Sequence, residues 1–278
     1  MQLRNLFSLE GKNAVITGGA GLLGQKHAEA IAEMGGNPIL LDINEEKSNY
    51  IAKNISKKFG INSKGYKTDI TNPKAIKITK DKILNKYGKI NILINNAANN
   101  PKVEKVNDKP NNEWSMLENF PLDSWNQDIA VGLTGAFLCS QIIGQTMAEN
   151  NEGVILNIAS DLGVIAPDQR IYKDPNLPQD LQPKKPITYS VVKSGLIGLT
   201  KYLATYWSDK GIRANSISPG GIYTNQDQDF VNRLESLIPL GRMAHEDEYK
   251  AAIIFLISDA SSYMTGANLI IDGGRTTW

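Results

Sequence analysis

One cysteine, two histidines and the absence of any long apolar run set the first limits on this chain of 278 residues. A lone cysteine, Cys139, cannot form an intrachain disulfide, so packing must hold the fold together and a reducing compartment suits it. Cys139 follows Ala136-Phe137-Leu138 and reads as a buried, inert thiol rather than a nucleophile. His27 and His245 have no partner cluster in the sequence, which argues against a metal centre. No segment approaches the roughly 18 consecutive apolar residues of a membrane span. The first residues, MQLRNLFSLEGKNAVITGG, lack the apolar core of a signal peptide, so a soluble cytoplasmic protein with no membrane partner is expected. Charge of one sign is not in excess either. Lys and Arg number 30 against 29 Asp and Glu, and a net charge of +1 gives no general reason to expect nucleic acid.

What is present is an alternation of short apolar runs with longer amphipathic stretches. Strands are expected at Asn13–Thr17, Pro38–Asp42, Lys64–Thr68, Ile90–Asn95, Val154–Ala159, Arg213–Ser218 and Asn268–Ile271. Helical patterns fall between them, near 22–34, 45–58, 73–87, 124–148, 189–209 and 246–258. This rhythm predicts an α/β fold, a doubly wound (Rossmann) parallel sheet of about seven strands with helices on both faces. No repeat or linker divides the chain, so one domain spanning 1–278 is expected. Two long loops, 99–123 and 166–187, interrupt the rhythm, the second carrying five prolines. Loops of that length are uncommon in compact domains, and these leave the carboxyl ends of strands, where ligands of such sheets bind. A substrate-enclosing role is favoured for them over passive insertion.

The first strand runs into Thr17-Gly18-Gly19-Ala20-Gly21-Leu22-Leu23-Gly24 and then a helix. Gly18, Gly21 and Gly24 permit a tight turn and close approach to a pyrophosphate, while the N–H groups of the helix start at Leu22 and Leu23 favour that anion. A glycine-rich string is weak evidence alone, but strand before and helix after is the context it needs. Asp42, 24 residues beyond Gly18, ends the second strand and can accept from ribose hydroxyls. Leu41-Asp42-Ile43-Asn44 offers no cation to a 2′-phosphate, so NAD is expected over NADP. The bland alternative for Asp42 is a helix cap or a solvated turn carboxylate.

Tyr189-Ser190-Val191-Val192-Lys193 is the most informative pentapeptide. On a helix, Tyr189 and Lys193 share one face. A tyrosine ionises near pH 10 when unperturbed, and a neighbouring ammonium is expected to lower that value toward neutrality. The pattern also occurs by chance, since Tyr206 and Lys210 form a second copy at the far end of the same helix. Upstream, the buried run 153–160 ends in Ser160, which would emerge at the carboxyl edge of the sheet within reach of a substrate oxygen. An isolated serine there is more often a turn residue, and Ser160 gains weight only beside Tyr189 and the glycine-rich turn.

The order and spacing of TGGAGLLG, Asp42, Asp69, NNAA (95–98), NIAS (157–160), YSVVK, SPGGIYT (218–224) and IDGG (271–274) resemble the short-chain dehydrogenase/reductase family across essentially the whole chain. The resemblance implies that Ser160 polarises the substrate oxygen, that Tyr189 moves its proton, and that Lys193 holds the nicotinamide ribose and tunes Tyr189. It assigns Ile43 and Asp42 to the adenosine end, Asp69 and Ile70 to the adenine, Asn95 and Ala97 to the centre of the cofactor, and Pro219, Gly220, Ile222 and Thr224 to the nicotinamide side. It also implies a mobile lid near 225–240 and a homo-oligomer, dimer or tetramer, joined through the helices at 124–148 and 189–209. A looser similarity of SPGGIYTNQ and IPLGRMA (238–244) to members linked to bacterial flagellin and surface-glycan sugars suggests a sugar, sugar nucleotide or polyol.

Three features depart from the family pattern. Gly21 gives a G-x-x-G-x-x-G spacing similar to the larger sugar-nucleotide branch, whose longer substrate domain this chain has little room for. Gly132, in Val131-Gly132-Leu133-Thr134-Gly135, stands where the resemblance leads one to expect a catalytic asparagine, so the water-mediated proton relay must be rerouted or weakened. Replacing Gly132 by asparagine is expected to raise helix stability slightly. Ser160 and Tyr189 are 29 residues apart, longer than in simpler members, which makes the proline-rich loop an insertion beside the site. The preferred reading is reversible hydride transfer between NAD and a secondary alcohol or ketone. The alternatives are a sugar-nucleotide epimerase or dehydratase with tightly bound NAD, and a non-catalytic NAD-binding protein.

Overall fold

The computed structural model describes residues 2–99, 105–106, 109–110 and 113–278, so the expected loop at 99–123 lies partly outside the described residues. Seven strands form one parallel sheet: β1 (Asn13–Thr17), β2 (Asn37–Asp42), β3 (Lys64–Lys67), β4 (Ile92–Asn95), β5 (Gly153–Ile158), β6 (Ile212–Pro219) and β7 (Asn268–Ile271). Their order is β3-β2-β1-β4-β5-β6-β7, and every neighbouring pair is parallel. The order reverses between β1 and β4, which opens a crevice beyond their carboxyl ends.

Strand residues alternate between two apolar layers, as the period-two geometry of a strand requires. Ala14, Ile16, Leu40, Ile94 and Leu156 pack on one face with α1 (Leu22–Glu33) and the later helix Lys250–Ile257. The helix α2 (Glu45–Phe59) joins that first layer through Ile51, Ala52 and Ile55, whereas Val15, Ile39, Leu41, Leu93 and Ile155 face the other way, toward α3 (Pro73–Tyr87), α4 (Leu122–Glu149) and α5 (Ile187–Tyr206). Cys139 sits in this second layer with its thiol pushed up to about 12 by burial, the inert thiol that its apolar surroundings predict.

Local chemistry fixes the helix ends. The Asn44 side chain accepts from Lys47 N–H, Glu45 and Glu46 occupy the first turn, and Gly60 closes α2 with a left-handed φ of 69°. Asn72 caps α3 with Pro73 in the first turn. Among the described residues, α4 is the one helix long and apolar enough to cross a membrane, and half of its most apolar stretch is buried within this fold. It is not a regular α-helix, because Ala130–Thr134 form a π-helical turn. Hydrophobic periodicity gives no warning of that turn.

Two further helices follow, α6 (Gln228–Glu235) and α7 (Lys250–Ile257), and a single helical turn spans Leu3–Leu6. Helix α6 lies inside the segment expected to be a lid, and it was not anticipated. The helix expected at 246–258 begins instead at Lys250. Glu246 and Asp247 are held by Lys26 of α1 at 2.7 and 3.2 Å, which fixes the preceding turn.

Candidate active site

The glycine turn is shaped for a ligand that approaches backbone. Gly18 has φ +62°, and a Cβ there would lie 2.9 Å from Ala97 Cα. A Cβ on Gly24 would come within 2.3 Å of the Gly18 carbonyl oxygen, so neither position tolerates a side chain without a shift. Gly21 caps α1 with no side-chain hydrogen bond, which leaves the N–H groups of the first turn open to an anion. Asn96, absent from the expected set, holds this turn: its Nδ2 donates to the carbonyls of Thr17 and Gly18 at 3.0 and 3.2 Å. Thr17 Oγ1 in turn accepts from the N–H groups of Asn96 and Ala97. The first loop is thereby tied across the switch point to the loop after β4.

Asp42 does not cap α2. Its Oδ2 accepts from Ala20 N–H at 2.9 Å and its Oδ1 from Asn44 N–H at 3.0 Å, which aims the carboxylate along the mouth of the glycine turn. A carboxylate has about four acceptor sites, so two remain for ribose hydroxyls. Leu22 and Ile43 are apolar yet 45% and 72% exposed on this rim, as a sugar or base face resting there would require. Asp69 is exposed at the carboxyl edge of β3, where its Oδ1 accepts from Thr71, and Ile70 is buried against Gly135. Asn95 differs from expectation. Its side chain points into the core and donates to Asn157 Oδ1 and Ser140 Oγ, so only its main chain is left for a ligand.

Beyond β6, Pro219 and Gly220 stand against the start of the C-terminal turn, and the Gly220 carbonyl accepts from Tyr249 Oη at 3.0 Å. Ile222 bridges Ala244, and Thr224 is exposed with its N–H donated to Gln226. These residues, the glycine turn and Asp42 form a continuous cradle along the carboxyl edge. Donors, open helix N–H groups and exposed apolar rims all fit a dinucleotide.

The chemical end lies across β5. Asn157 Nδ2 donates to Thr200 Oγ1 at 2.8 Å, which clamps β5 to α5 and sets the two residues that follow against the start of that helix. Ser160 is buried just beyond the strand, and its hydroxyl stands close enough to that of Tyr189 to favour the phenolate. Lys193 is buried one turn along α5 and donates from Nζ to the Ile158 carbonyl at 2.7 Å. Burial holds its ammonium down to about 8, with repulsion from Lys185 adding to the effect. Ser160, Tyr189 and Lys193 are thus brought together, whereas Tyr206 is exposed at the far end of α5.

The tyrosine does not behave as expected from its lysine neighbour alone. Burial dominates and pushes the Tyr189 phenol up, with the nearby Ser160 hydroxyl opposing and the Asp161 carboxylate reinforcing the rise. Lys193 Nζ lies 5.7 Å from the ring centroid and is spent on Ile158, so it offers the phenolate less relief. Lys185, from the insertion, is closer. Its Nζ sits 3.8 Å over the Tyr189 ring, and burial lowers its pKa to about 8. No spacing rule points to Lys185, because the loop that carries it is irregular.

Two other participants were missed. Ser160 Oγ donates to Asp161 Oδ1 at 2.8 Å, and Asp161 Oδ2 is paired with Arg275 at 2.6 Å, both side chains buried. The arginine arrives there because Gly273 and Gly274 take left-handed φ values of 68° and 92°. Asp272 then caps the turn, accepting from the N–H groups of Gly274 and Thr276. The IDGG motif therefore positions Arg275 under the serine.

The insertion 166–187 is ordered. Gln182 is buried and its side chain ties Asp174 and Leu177 together. Ile171 packs with Val231, Leu234, Ile238 and Met243, and Arg233 Nε donates to the Ile171 carbonyl at 2.9 Å. Insertion and α6 thus share a small apolar core of their own beside Tyr189.

Gly132 lies in the π-helical turn of α4, and a Cβ there would fall 2.5 Å from Val192 Cγ1. This overturns the expected gain in stability from asparagine. Gly132→Asn is expected to lose about 1–3 kcal/mol through overpacking, most of it recovered in the Gly132→Asn/Val192→Ala pair. Urea melts of the four proteins measure the coupling. A Gly132→Asn variant as stable as the parent would show that α4 yields at no cost.

The sequence matches the short chain dehydrogenase family over residues 12–172 and the enoyl-(acyl carrier protein) reductase family over residues 179–276. It is 32% identical to a D-threitol dehydrogenase of Mycolicibacterium smegmatis, with 97% of this chain and 95% of that protein covered. It is 33% identical to an NAD-dependent glycerol dehydrogenase of Listeria innocua, covering 97% and 96%. A gluconate 5-dehydrogenase from Burkholderia cenocepacia, solved with NADP and tartrate, superposes over the full length of both chains with a TM-score of 0.86 at 28% identity. The chain belongs to the short-chain dehydrogenase/reductase family, oxidoreductases that move hydride between a nicotinamide cofactor and an alcohol or ketone.

Proposed function

We propose that this chain is an NAD-dependent dehydrogenase of open-chain polyols, acting on a secondary hydroxyl or the matching ketone. The observation that carries the reading is the meeting of Tyr189 with Ser160 at the carboxyl edge of β5, Lys193 one turn away and the glycine cradle across the switch point. Bound in that cradle, the nicotinamide supplies the hydride acceptor or donor. Tyr189 removes the hydroxyl proton during oxidation and returns it during reduction. Ser160 donates to the substrate oxygen as charge develops there, Lys193 anchors the ribose side, and the Lys185 ammonium over the Tyr189 ring favours the phenolate. Threitol, glycerol and gluconate, named for the relatives, share an open carbon chain with adjacent hydroxyls, and this likeness supports the substrate class. The insertion and α6 form the lid over it, within a soluble, single-domain subunit.

The relatives divide between the two nicotinamide dinucleotides, and Asp42 supports NAD here. A 2′-phosphate beside that carboxylate would meet repulsion and forfeit ribose hydrogen bonds, so NAD is expected to bind roughly 10²-fold tighter. Asp42→Ala is expected to narrow the gap by weakening NAD and easing NADP. Fluorescence titration with both nucleotides tests it, and equal or tighter NADP binding by the parent protein would refute the assignment. Exposed aromatic and apolar side chains on α5 (Val191, Tyr202, Tyr206) and Phe137 on α4 support a homo-oligomer, dimer or tetramer, built on those two helices.

The deciding experiment is a turnover screen with NAD and NADP against glycerol, D-threitol, mannitol, xylitol and gluconate, with sugar nucleotides alongside. Steady NADH formation with an open-chain polyol is the expected result. Conversion of a sugar nucleotide without net NADH would place the chain among epimerases or dehydratases instead.

A further inference from the structure

The family's relay asparagine is missing, and Val192 closes the space that its Cβ would need. The cavity beside that point is not empty of chemistry. It is lined by Asp128, Gly132, Thr188, Tyr189, Lys193 and Asn99, and its volume of about 10 Å³ is room for about one water molecule. Asp128 stands four residues before Gly132, one turn earlier on the same face of α4. It is 7% exposed, a rare setting for a carboxylate outside a site. Thr188 Oγ1 donates to its Oδ2 at 2.5 Å, which fixes the carboxylate, while its other oxygen has no hydrogen-bond partner among the described residues.

We propose that Asp128 replaces the missing asparagine as the side chain that holds the relay water, linking Lys193 to solvent through a carboxylate instead of an amide. The inference rests on the hydride-transfer reading of this site and identifies a positioning residue for it. During alcohol oxidation one proton must leave the site for each hydride delivered. The Lys193 ammonium gives a proton to the water, the water gives one to Asp128, the carboxyl releases it past Ala98 and Asn99 at the cavity's outer wall, and the proton that Tyr189 took from the alcohol recharges Lys193 and frees the phenolate. One proton moves at each step, and no electrons move. The π-helical turn brings Gly132 against Val192 while leaving Asp128 facing the cavity, so the relay shifts back by one turn of helix. Among the described residues, the charged and titratable groups around the cavity are Lys193 and Tyr189 from α5, with Lys185 from the insertion and Asp161 beyond Tyr189.

The test uses the full-length protein and two variants, Asp128→Asn and Asp128→Val, with two readouts. The first needs no substrate. In protein labelled with ¹⁵N-lysine, the ammonium resonance lost in Lys193→Met identifies Lys193. Its titration midpoint is expected to fall by about one unit in both variants, because a nearby carboxylate favours the charged form. The second is oxidation of whichever of glycerol, D-threitol, mannitol or xylitol turns over fastest, followed against pH and in D₂O. Both variants are expected to lose about tenfold or more in kcat with KM little changed, and to show a larger solvent isotope effect. Asp128→Asn is expected to keep parental stability, which separates the relay from a purely structural role. An unshifted Lys193 midpoint, or parental pH and isotope profiles in both variants, would overturn the proposal. A Tyr189→Phe variant with full turnover would instead overturn the hydride-transfer reading, so the two failures are distinguishable.

Discussion

Tyr189→Phe is expected to lower turnover roughly 10²-fold or more while leaving nucleotide affinity intact. The substitution keeps the ring, and with it the Lys185 ammonium stacked at 3.8 Å, and removes the hydroxyl that meets Ser160. Its pH dependence carries a sign that can be worked out. Burial pushes the Tyr189 phenol up, so the acid form persists above neutrality and the phenolate is the scarce species. Reduction of a ketone, which needs the acid, is expected to hold its rate through neutral pH. Oxidation, which needs the phenolate, is expected to rise with pH in the same range. The residual oxidation rate of the phenylalanine variant should lose that rise. Paired pH–rate profiles in both directions settle the matter. A variant that turns over at the parental rate would remove Tyr189 from the mechanism.

What the sequence displayed plainly was whatever repeats locally. β1 and β7 fall at their expected residues, and the other strand ends move by two residues at most, because buried parallel strands are unbroken apolar runs between turn residues. The helices over 45–59 and 73–87 announce themselves through asparagine caps and closing glycines. Ser160, Tyr189 and Lys193 were legible as a set because strand end and helix start each carried a motif. The π-helical turn at 130–134 was not, since it depends on the backbone meeting Val192 rather than on periodicity. Lys185 was invisible in an irregular loop, although it reaches the Tyr189 ring. Helix α6 left a usable signal: Asp227 accepts from the N–H groups of Asp229 and Phe230, ahead of apolar residues at 230, 231 and 234.

The Arg275–Asp161 pair lies at the opposite limit, since 114 residues separate the partners and no local pattern connects them. Arg275→Ala is expected to cost about 3–5 kcal/mol of stability, because it strands a buried carboxylate without its counter-ion. The same change should disturb the chemistry. Ser160 has a single proton to donate, and it now goes to Asp161 at 2.8 Å while Arg275 neutralises the far oxygen of that carboxylate. Without the guanidinium, Asp161 would hold the serine proton more tightly and present an unscreened negative charge to the Tyr189 phenolate. Ser160 would then polarise substrate poorly, and oxidation would need higher pH. Arg275→Ala is therefore expected to lose turnover as well as stability, with the rising limb of its pH–rate profile displaced to the alkaline side. Asp161→Asn in the same chain removes the stranded charge, so the double variant should recover much of the stability and the pH profile. Arg275→Lys should recover less, since a compact ammonium must be held at the guanidinium's reach. Denaturant melts and pH–rate profiles of the single and double variants give the coupling energy directly. Additive losses in the double variant would show that the C-terminal turn and Ser160 are energetically independent.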